Sequence, residues 1–204
     1  MIPPELTIGS LASIAAKPGY WIRMLRNPVI DFANFARYDA VTIEDTGQLF
    51  NPAITWDDIA DLRARWTGRL LIKGPLGPAD AARAVSVGAD GVQLSNHGGR
   101  QLDRAVPPVN TIAAVRETVG PDVAVLVDSG IRHGSDIAVA LALGADACAI
   151  GRAYLYGLMA GGEAGVNKAL DILAEQFKRT MQLLGVRSVA ELRSLGSSLV
   201  VVGG

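Results

Sequence analysis

Several residue types are scarce in this sequence, and each scarcity excludes a class of protein. The one cysteine, Cys148, cannot form a disulfide bond within the chain, which excludes a disulfide-stabilised scaffold and fits a reducing compartment. The 20 acidic and 19 basic residues leave a net charge of −1, so no basic surface for nucleic acid is expected. No apolar run is long enough to span a bilayer, and no basic start precedes an apolar run at the N-terminus. We therefore predict a cytoplasmic protein with no metal site, no nucleic-acid partner and no transmembrane segment, and we leave peripheral attachment to a membrane open.

The sequence does contain enough hydrophobic residues for a folded core. Of its 204 residues, 50% are hydrophobic and 19% are charged, which is the profile of a folded domain. Residues 1–55 carry five of the ten prolines and show little periodicity, so we predict loop with short helices there and a short strand over 39–43. So long an irregular segment is unusual in a compact domain unless the segment serves a function.

Strands and helices alternate regularly from residue 56 onwards. The predicted strands, 70–74, 91–95, 123–130 and 147–151, are continuous apolar runs, which is typical of a parallel sheet covered on both faces. The predicted helices are 57–66, 78–88, 109–120 and 135–144, the last with Ser135 as its N-cap, followed by an amphipathic helix over 163–184. Ser188 and Glu191 form a capping-box pattern that begins a last short helix. This alternation predicts βα units, which build barrels and doubly wound sheets.

A short repeat favours the barrel. Gly-Ala-Asp follows a helix and precedes a strand at 88–90 and again at 144–146, an offset of 56 residues or two βα units. A closed (β/α)8 TIM barrel has eight strands, whereas only four can be counted in this sequence. We therefore predict an α/β fold of the TIM-barrel family that forms a half-barrel. It has three parts: an irregular segment over 1–55, the half-barrel over 56–195, and a tail over 196–204 that is either a terminal strand or a frameshifted end.

Basic residues follow all four predicted strands, at the edge where parallel α/β folds bind their ligands. They are Lys73, Arg100, Arg132 and Arg152. Gly130 and Gly151, beside the last two of them, let the backbone approach a ligand closely, so we predict a phosphate site at these two strand ends. The alternative is that the two arginines lie on the surface and pair with Asp136 or Asp146.

His97 lies directly after the second strand in the stretch LSNHGGRQLD and is one of only two histidines. The glycines behind it leave room for a ligand, and Arg100 is three residues away. A neutral imidazole is the usual general base near pH 7 and a guanidinium is the usual clamp for a carboxylate, so this pair predicts removal of a proton from an acid-bearing substrate. The alternative for His97 is a histidine satisfied within the core. We expect His133 to contact only neighbouring residues or solvent, without a direct role in the site. We expect Asp103 to cap or orient its loop. Asp128, at a strand end, is expected to form a hydrogen bond with a ligand hydroxyl.

Four stretches of the sequence, IKG, SNHGGRQLD, VDSGIRHGSD and GRAYLYGLMAGGEAGV, resemble the signatures of the FMN-dependent 2-hydroxy acid dehydrogenases and oxidases. The resemblance runs from about residue 1 to about residue 195 and is strongest to the L-lactate dehydrogenase branch; the family also includes mandelate dehydrogenase and glycolate oxidase. It implies FMN as the cofactor and oxidation of a small (S)-2-hydroxy acid, L-lactate before others, to the 2-oxo acid. The electron acceptor would be oxygen, a quinone or a cytochrome, and the family's full-length members imply a homo-oligomer.

The resemblance also implies roles for individual residues. His97 matches the base, Arg100 matches the arginine that binds the substrate carboxylate, and Lys73 matches the lysine whose charge stabilises the reduced flavin. The remaining matches contact the flavin, its ribityl chain or its phosphate: Ser95, Asp128, Ser129, Gly130, Ile131, Arg132, Gly151 and Arg152. Residues 1–55 match a segment that covers the substrate side.

The family's first four strands have no counterpart in this sequence. Those strands supply an active-site tyrosine, further flavin contacts and the aspartate that orients the histidine, so the resemblance implies that the chain is the C-terminal half, strands five to eight. We therefore expect the chain by itself to bind FMN weakly or not at all. Two alternatives stay open. One is a catalytically inactive fragment or half-barrel assembly module of the same family; the other is a different phosphate-binding barrel such as an isomerase, against which the SNHGGR stretch argues.

Overall fold

The structure, a computed structural model, describes residues 7–26, 51–75 and 77–200. The chain divides into two units, residues 1–54 and residues 55–204. In the first unit two short helices are described, α1 (Ile8–Ala15) and α2 (Pro18–Arg26), which agrees with the short helices expected there. The strand predicted over 39–43 lies outside the described residues.

The second unit alternates strands with helices. Its strands are β1 (Leu71–Lys73), β2 (Gly91–Leu94), β3 (Ala124–Val127) and β4 (Ala147–Cys148), and they form one parallel sheet in that order. Its helices are α3 (Trp56–Arg65), α4 (Pro78–Ser86), α5 (Ile112–Val119), α6 (Gly134–Ala142), α7 (Arg152–Leu183) and α8 (Val189–Leu195), with short 3-10 turns at Pro108–Asn110 and Gly196–Leu199. The four predicted strands and the helices between them are therefore confirmed, although the strands end earlier than predicted because the chain turns into the loops that follow them.

The seventh helix, α7, differs most from the prediction, because it begins at Arg152 rather than at residue 163. The helix is interrupted at Gly161 and Gly162, whose φ angles of −152° and 59° are not helical. Around this break Gly157 and Gly165 approach so closely that a Cβ atom on either would overlap the other's backbone. The glycines permit this packing. They also interrupt the apolar periodicity, so the sequence pattern does not reveal the first part of the helix. Although α7 is long, no helix among the described residues combines the length and the hydrophobicity needed to cross a membrane.

Side-chain caps determine where α6 and α8 begin. The prediction that Ser135 caps α6 is wrong, because the N-cap is His133, whose Nδ1 accepts the Ser135 N–H at 3.2 Å. Asp136 completes this cap, since its Oδ2 accepts the His133 N–H at 2.8 Å. Ser188 caps α8 as predicted and accepts the Glu191 N–H at 3.1 Å. The local role expected for His133 is therefore confirmed.

Two clusters of apolar side chains hold the second unit together. The larger lies between the sheet and helices α4 and α5, and its fully buried members include Ala81, Ala84, Val92, Leu94, Ile112, Val115 and Val125. The smaller joins α6, α7 and α8 through Ala138, Leu141, Phe177, Val186 and Leu192. Alternate residues of a strand point to opposite faces of the sheet. Packing Val92 and Leu94 against the helices therefore leaves Gln93 and Ser95 on the other face.

The repeated Gly-Ala-Asp sequence forms the same structure twice. Asp90 accepts a backbone N–H at the start of β1 at 2.8 Å and forms an ion pair with Arg63 of α3 at 3.1 Å. Asp146 accepts a backbone N–H in β3 at 2.8 Å and pairs with Arg116 of α5 at 2.5 Å. The two aspartates therefore anchor the starts of the strands, at the end of the sheet opposite to the predicted ligand site.

The glycines of the repeat make room for these arginines. A Cβ atom on Gly88 would lie 2.8 Å from Cγ of Arg63, and one on Gly144 would lie 2.9 Å from Cγ of Arg116. Both glycines also have positive φ angles, 94° and 108°. The repeat recognised in the sequence is thus a repeat of packing and charge, as expected for βα units of similar construction.

We expect Gly134→Ala to destabilise the second unit. Gly134 is the first residue of α6 and is buried against α7, where a Cβ atom would overlap the backbone of Phe177. One of the two helices must then move, and overpacking of this kind costs about 1–3 kcal/mol. Thermal unfolding measures the loss. Gly161→Ala is the matched control, because nothing lies within 4 Å of its new Cβ; equal losses in the two variants would contradict the packing of α6 on α7.

Candidate functional site

The loops after the four strands meet around a cavity of about 400 Å³. All but one of the predicted site residues line it: Lys73, His97, Arg100, Asp128, Ser129, Gly130, Ile131, Arg132, Gly151 and Arg152. The exception, Ser95, is buried and lies on the wall of a neighbouring cavity of about 510 Å³, which shares Lys73 and His97 with the first. The structure therefore brings together the residues that the sequence places at the four strand ends.

Asp128 is the centre of the polar contacts in this cavity. Its Oδ1 accepts hydrogen bonds from Ser95 Oγ at 2.6 Å and from Ser129 Oγ at 2.7 Å. Its Oδ2 accepts one from Gln93 Nε2 at 2.6 Å and forms an ion pair with Lys73 Nζ at 3.0 Å. A carboxylate has about four acceptor sites, so these four donors occupy all of them. The bond to a ligand hydroxyl predicted for Asp128 therefore requires one of the donors to move.

The pKa of Asp128 reflects two opposing effects. Burial, the largest single effect, raises the pKa of this carboxyl, whose side chain is 14% exposed. Hydrogen bonds from Ser95, Ser129, Lys73 and Gln93 lower the pKa and together outweigh the burial, because each of them favours the charged form. The pKa of Asp128 therefore lies below the usual aspartate value, and the carboxylate balances part of the positive charge in the cavity at neutral pH.

The loop that carries His97 is held to this network through its backbone. The His97 N–H donates to Ser95 Oγ at 3.1 Å, and the Gly98 N–H donates to Ser129 Oγ at 3.0 Å. His97, Gly98 and Gly99 have positive φ angles of 57°, 67° and 75°. A non-glycine residue in this region is strained by on the order of 1 kcal/mol. The two hydrogen bonds therefore hold the His97 backbone in a conformation that it would not otherwise favour. Its ring is exposed, so the alternative of a histidine satisfied within the core is wrong.

Arg152 connects this loop to the start of α7. Its Nη2 donates to the Gly98 carbonyl at 3.1 Å, and a Cβ atom on Gly98 would lie 2.9 Å from the same nitrogen. Glycine is thus required at position 98 both by its φ angle and by the approach of the guanidinium. The loop with the predicted base and the end of β4 with the predicted phosphate site are therefore in direct contact.

The ends of β3 and β4 have the features of an anion site. Gly130 and Gly151 have open space where a Cβ atom would lie, and α7 begins after Gly151 with no side-chain cap, so its first N–H groups can bind a ligand. Within residues 51–75 and 77–200, no carboxylate forms an ion pair with Arg132 or Arg152. The side chains that line the cavity include four basic ones and one carboxylate, an excess of three positive charges.

The alternative partners for these two arginines are engaged elsewhere. Asp146 is paired with Arg116 and Arg193. Asp136 accepts the backbone N–H of Arg132 at 2.8 Å as part of the α6 cap, and does not pair with its guanidinium. Surface pairing of the predicted phosphate-binding arginines is therefore wrong for the described residues, and the donor set fits a phosphate group.

Gln93 is a member of this site that was not predicted from the sequence. It lies on β2 in register with Lys73 of β1, lines the same cavity and donates to Asp128. Its signal in the sequence is a polar side chain inside the apolar strand GVQLS. A polar group at such a position requires a hydrogen-bonding partner, but the sequence does not say which one.

Cys148 packs against the larger apolar cluster and has no part in the cavity. Burial, and to a smaller extent the nearby charge of Asp136, raise the pKa of its thiol to about 11. The thiol is therefore protonated at neutral pH, a form in which cysteine is a poor nucleophile. Among the residues that the structure describes, no three His, Cys, Asp or Glu side chains come together in the way a metal site requires.

The model of a protein family described as FMN-dependent dehydrogenase matches residues 1–198 of this chain. A protein of Mycobacterium tuberculosis (strain ATCC 25618 / H37Rv), provisionally named L-lactate dehydrogenase, is 45% identical over 203 residues, which are 96% of this chain and 49% of that protein. An L-lactate dehydrogenase of Bartonella quintana (strain Toulouse) is 44% identical over 168 residues, which are 79% of this chain and 44% of that protein. The chain thus spans about half the length of the curated relatives it matches.

A solved structure shows a similar fold. The crystal structure of the monotopic membrane protein (S)-mandelate dehydrogenase matches this one with a TM-score of 0.86 and 37% identity, covering 98% of this chain and 53% of that chain. The match takes in about half of a TIM-barrel protein. Together with the four consecutive parallel strands, this confirms the predicted half-barrel.

We expect Asp128→Asn to lower the stability of the chain in a pH-dependent way. The pKa of Asp128 is lowered in the folded chain, so its carboxylate stabilises the fold above the unfolded-state pKa, and this contribution is lost as the pH falls through the folded-state pKa. The wild-type chain should exceed the variant by about 2 kcal/mol near neutral pH, and the difference should shrink in acid. Urea unfolding at a series of pH values measures it.

Asp122→Asn is the control for this prediction. Asp122 is an exposed carboxylate after α5, and its replacement should change stability little at any pH. A deficit of Asp128→Asn that stays constant as the pH falls would show that the carboxylate charge does not stabilise the site.

Proposed function

Because the chain belongs to the FMN-dependent dehydrogenase family, we propose that it binds FMN and contributes to oxidation of an (S)-2-hydroxy acid to the 2-oxo acid. The half-barrel alone would hold FMN weakly, since the chain spans about half the length of its relatives. The observation that carries this proposal is that His97, Arg100 and the arginine-bearing ends of β3 and β4 line one cavity. L-Lactate is the substrate we favour, because the two relatives described above are named for it. The similar mandelate dehydrogenase makes an aromatic 2-hydroxy acid the second candidate.

The residues of the cavity fit FMN. Arg132, Arg152 and the uncapped start of α7 would hold its phosphate through charge-assisted hydrogen bonds. The open space at Gly130 and Gly151 would let that phosphate approach the backbone. Lys73, whose side chain is 53% exposed, would supply a positive charge to the flavin ring. FMN, when bound, accepts the two electrons that the substrate loses.

His97 and Arg100 would act on the substrate. The Arg100 side chain is exposed on the cavity wall, so its guanidinium can bind a carboxylate through two parallel hydrogen bonds. His97 would accept one proton at a ring nitrogen, either from the hydroxyl group or from C2 of the substrate. The bonds from Ser95 and Ser129 to the backbone of this loop support the proposal, because they hold the base beside the cavity.

Other properties are predictions that follow from the resemblance alone. They are the electron acceptor, a homo-oligomeric state and peripheral attachment to a membrane; the last has a parallel in the mandelate dehydrogenase described as a monotopic membrane protein. The second candidate function is an inactive half-barrel of the same family, which is favoured by the half-length match to the relatives. Measurable oxidation of a 2-hydroxy acid by the chain would distinguish the first candidate function from this inactive one.

We expect Arg132→Met and Arg152→Met each to weaken FMN binding about tenfold or more. Each change removes a charge-assisted bond to the phosphate, which contributes about 1.5–3 kcal/mol, and about 1.4 kcal/mol is a factor of ten in affinity. Quenching of FMN fluorescence during titration measures the affinity. Arg187→Met is the matched control, because Arg187 is exposed and lies outside the cavity lining.

Riboflavin, which lacks the phosphate, separates phosphate recognition from a loss of fold. The Arg132 variant should bind riboflavin as the wild-type chain does. The Arg152 variant also loses the bond to the Gly98 carbonyl, so its riboflavin affinity should fall, but less than its FMN affinity. Equal losses for FMN and riboflavin would mean that these arginines do not hold the phosphate. A wild-type chain that binds neither flavin would contradict the proposed function of the chain by itself.

We expect His97→Gln to keep FMN affinity and to lose about two to four orders of magnitude in kcat, which is the usual contribution of a general base. Arg100→Met should instead raise KM for the hydroxy acid, because it removes the carboxylate clamp. Reduction of a dye acceptor with L-lactate, mandelate and glycolate measures both effects. His133→Gln is the matched control, since His133 lies outside the cavity lining. Undiminished turnover by His97→Gln would rule out its role, and FMN binding without turnover by the wild-type chain would favour the inactive half-barrel.

A further inference from the structure

Gln93 has a place in the cavity that the proposed function does not use. In the register of the sheet it lies beside Lys73 of β1 and Leu126 of β3. Its side chain is half-buried and lines the cavity together with Lys73 and Asp128. A half-buried amide inside an apolar strand costs free energy unless it is hydrogen-bonded, so the partner that it takes indicates what it does.

Gln93 and Lys73 share one oxygen of Asp128. Gln93 Nε2 lies 2.6 Å from Asp128 Oδ2, and Lys73 Nζ lies 3.0 Å from the same atom. The other oxygen, Oδ1, is occupied by two serine hydroxyls. With donors on both oxygens, the carboxylate cannot turn to hold the lysine with both of them.

We propose that Gln93 is a positioning residue for Lys73: the serine hydroxyls occupy Asp128 Oδ1, and Gln93, by sharing Oδ2, weakens the one contact left to the lysine and leaves the ammonium group available to a bound flavin. An ammonium group has three N–H donors, so one bond to Asp128 leaves two for a ligand. The half-exposed side chain of Lys73 agrees with this arrangement. The effect on the flavin rests on the proposed function, whereas the contact between Gln93 and Asp128 does not.

Loss of the Gln93 amide should have two measurable effects. The carboxylate is then free to hold Lys73 more tightly, so less positive charge acts on a bound flavin and its reduction potential should fall. In Gln93→Leu the carboxylate also loses a hydrogen bond to its charged form and gains an apolar neighbour. Both changes raise the pKa of Asp128, and they outweigh the opposing effect of a lysine that is already in contact. The other ionisable side chains that line the cavity are unchanged in the variants: His97, Arg100, Arg132 and Arg152.

The experiment compares two variants of Gln93 with a matched control. Gln93→Leu removes the amide at similar size, and Gln93→Glu replaces the donor with a second carboxylate. Gln182→Leu makes the same exchange on an exposed position of α7. NMR titration of the Asp128 carboxyl carbon in the FMN-free chain follows the first effect. Equilibration of the FMN-loaded chain with a dye of known potential follows the second.

We expect the Asp128 titration to move to higher pH in both Gln93 variants. The potential of bound FMN should fall from wild type to Gln93→Leu and fall further in Gln93→Glu, because a second carboxylate offsets more of the lysine charge. FMN affinity of Gln93→Leu should fall about threefold to tenfold, because a Lys73 ammonium group held more tightly by Asp128 gives the flavin one hydrogen bond fewer. Gln182→Leu should match the wild-type chain in every measurement.

The outcomes distinguish this inference from the proposed function. An unchanged Asp128 titration in Gln93→Leu would overturn the inference whether or not FMN binds. A shifted titration with an unchanged potential would overturn the effect on Lys73. If the wild-type chain binds no FMN, the proposed function fails, and the FMN-free titration still decides whether Gln93 fixes the carboxylate. If Gln93→Glu does not fold, the Leu exchange decides alone.

Discussion

A single carboxylate, that of Asp128, joins three of the four strand ends. Its donors come from β1, from β2 and its end, and from the loop after β3. Two of these donors, the serine hydroxyls, accept the backbone N–H groups of His97 and Gly98 in turn. The lysine and the histidine are thus placed by the same charge although they follow different strands. The apolar core lies on the other face of the sheet, so it cannot set these positions, whereas hydrogen bonds to a carboxylate are strong and directional enough to do so.

The opposite end of the sheet is fixed by the same physical means for a different purpose. Asp90 and Asp146 each accept a backbone N–H and pair with arginines from other elements. Burial raises the pKa of Asp146, but the hydrogen bond from the Val125 N–H and the pairs with Arg116 and Arg193 lower it by a larger amount. The pKa of Asp146 therefore lies below the usual aspartate value. These pairs tie helices to strand starts, whereas Asp128 ties loops to strand ends. The ion pairs at the strand starts thus hold the helices in place, whereas the proposed ligand site lies at the other end of the strands, as in βα barrels.

Features that follow from strand order could be predicted from the sequence, and features that depend on tertiary contacts could not. Four apolar runs indicate parallel strands that end at one edge, so His97 and the basic residues after each strand could be assigned to one cavity. The cap of α6 could not be assigned, because Gly134 packs on the α7 backbone and the N-cap falls at His133 instead. The start of α7 was hidden by its glycines. Gln93 was missed because its partner, Asp128, is 35 residues away in the sequence.

The exposure of the proposed base and carboxylate clamp distinguishes two requirements for catalysis, which are the placement of the reacting groups and the exclusion of water. His97 and Arg100 are both exposed in the described part of the chain, so water competes for the groups that would bind the substrate, and an ion pair in water is weak. Closing such a cavity to water strengthens every electrostatic contact inside it. The positions and charges are built into this chain by Asp128 and by the strained loop after β2. In the proposed reaction they would determine which groups meet the substrate, whereas the exclusion of water would determine how much each of those groups lowers the barrier.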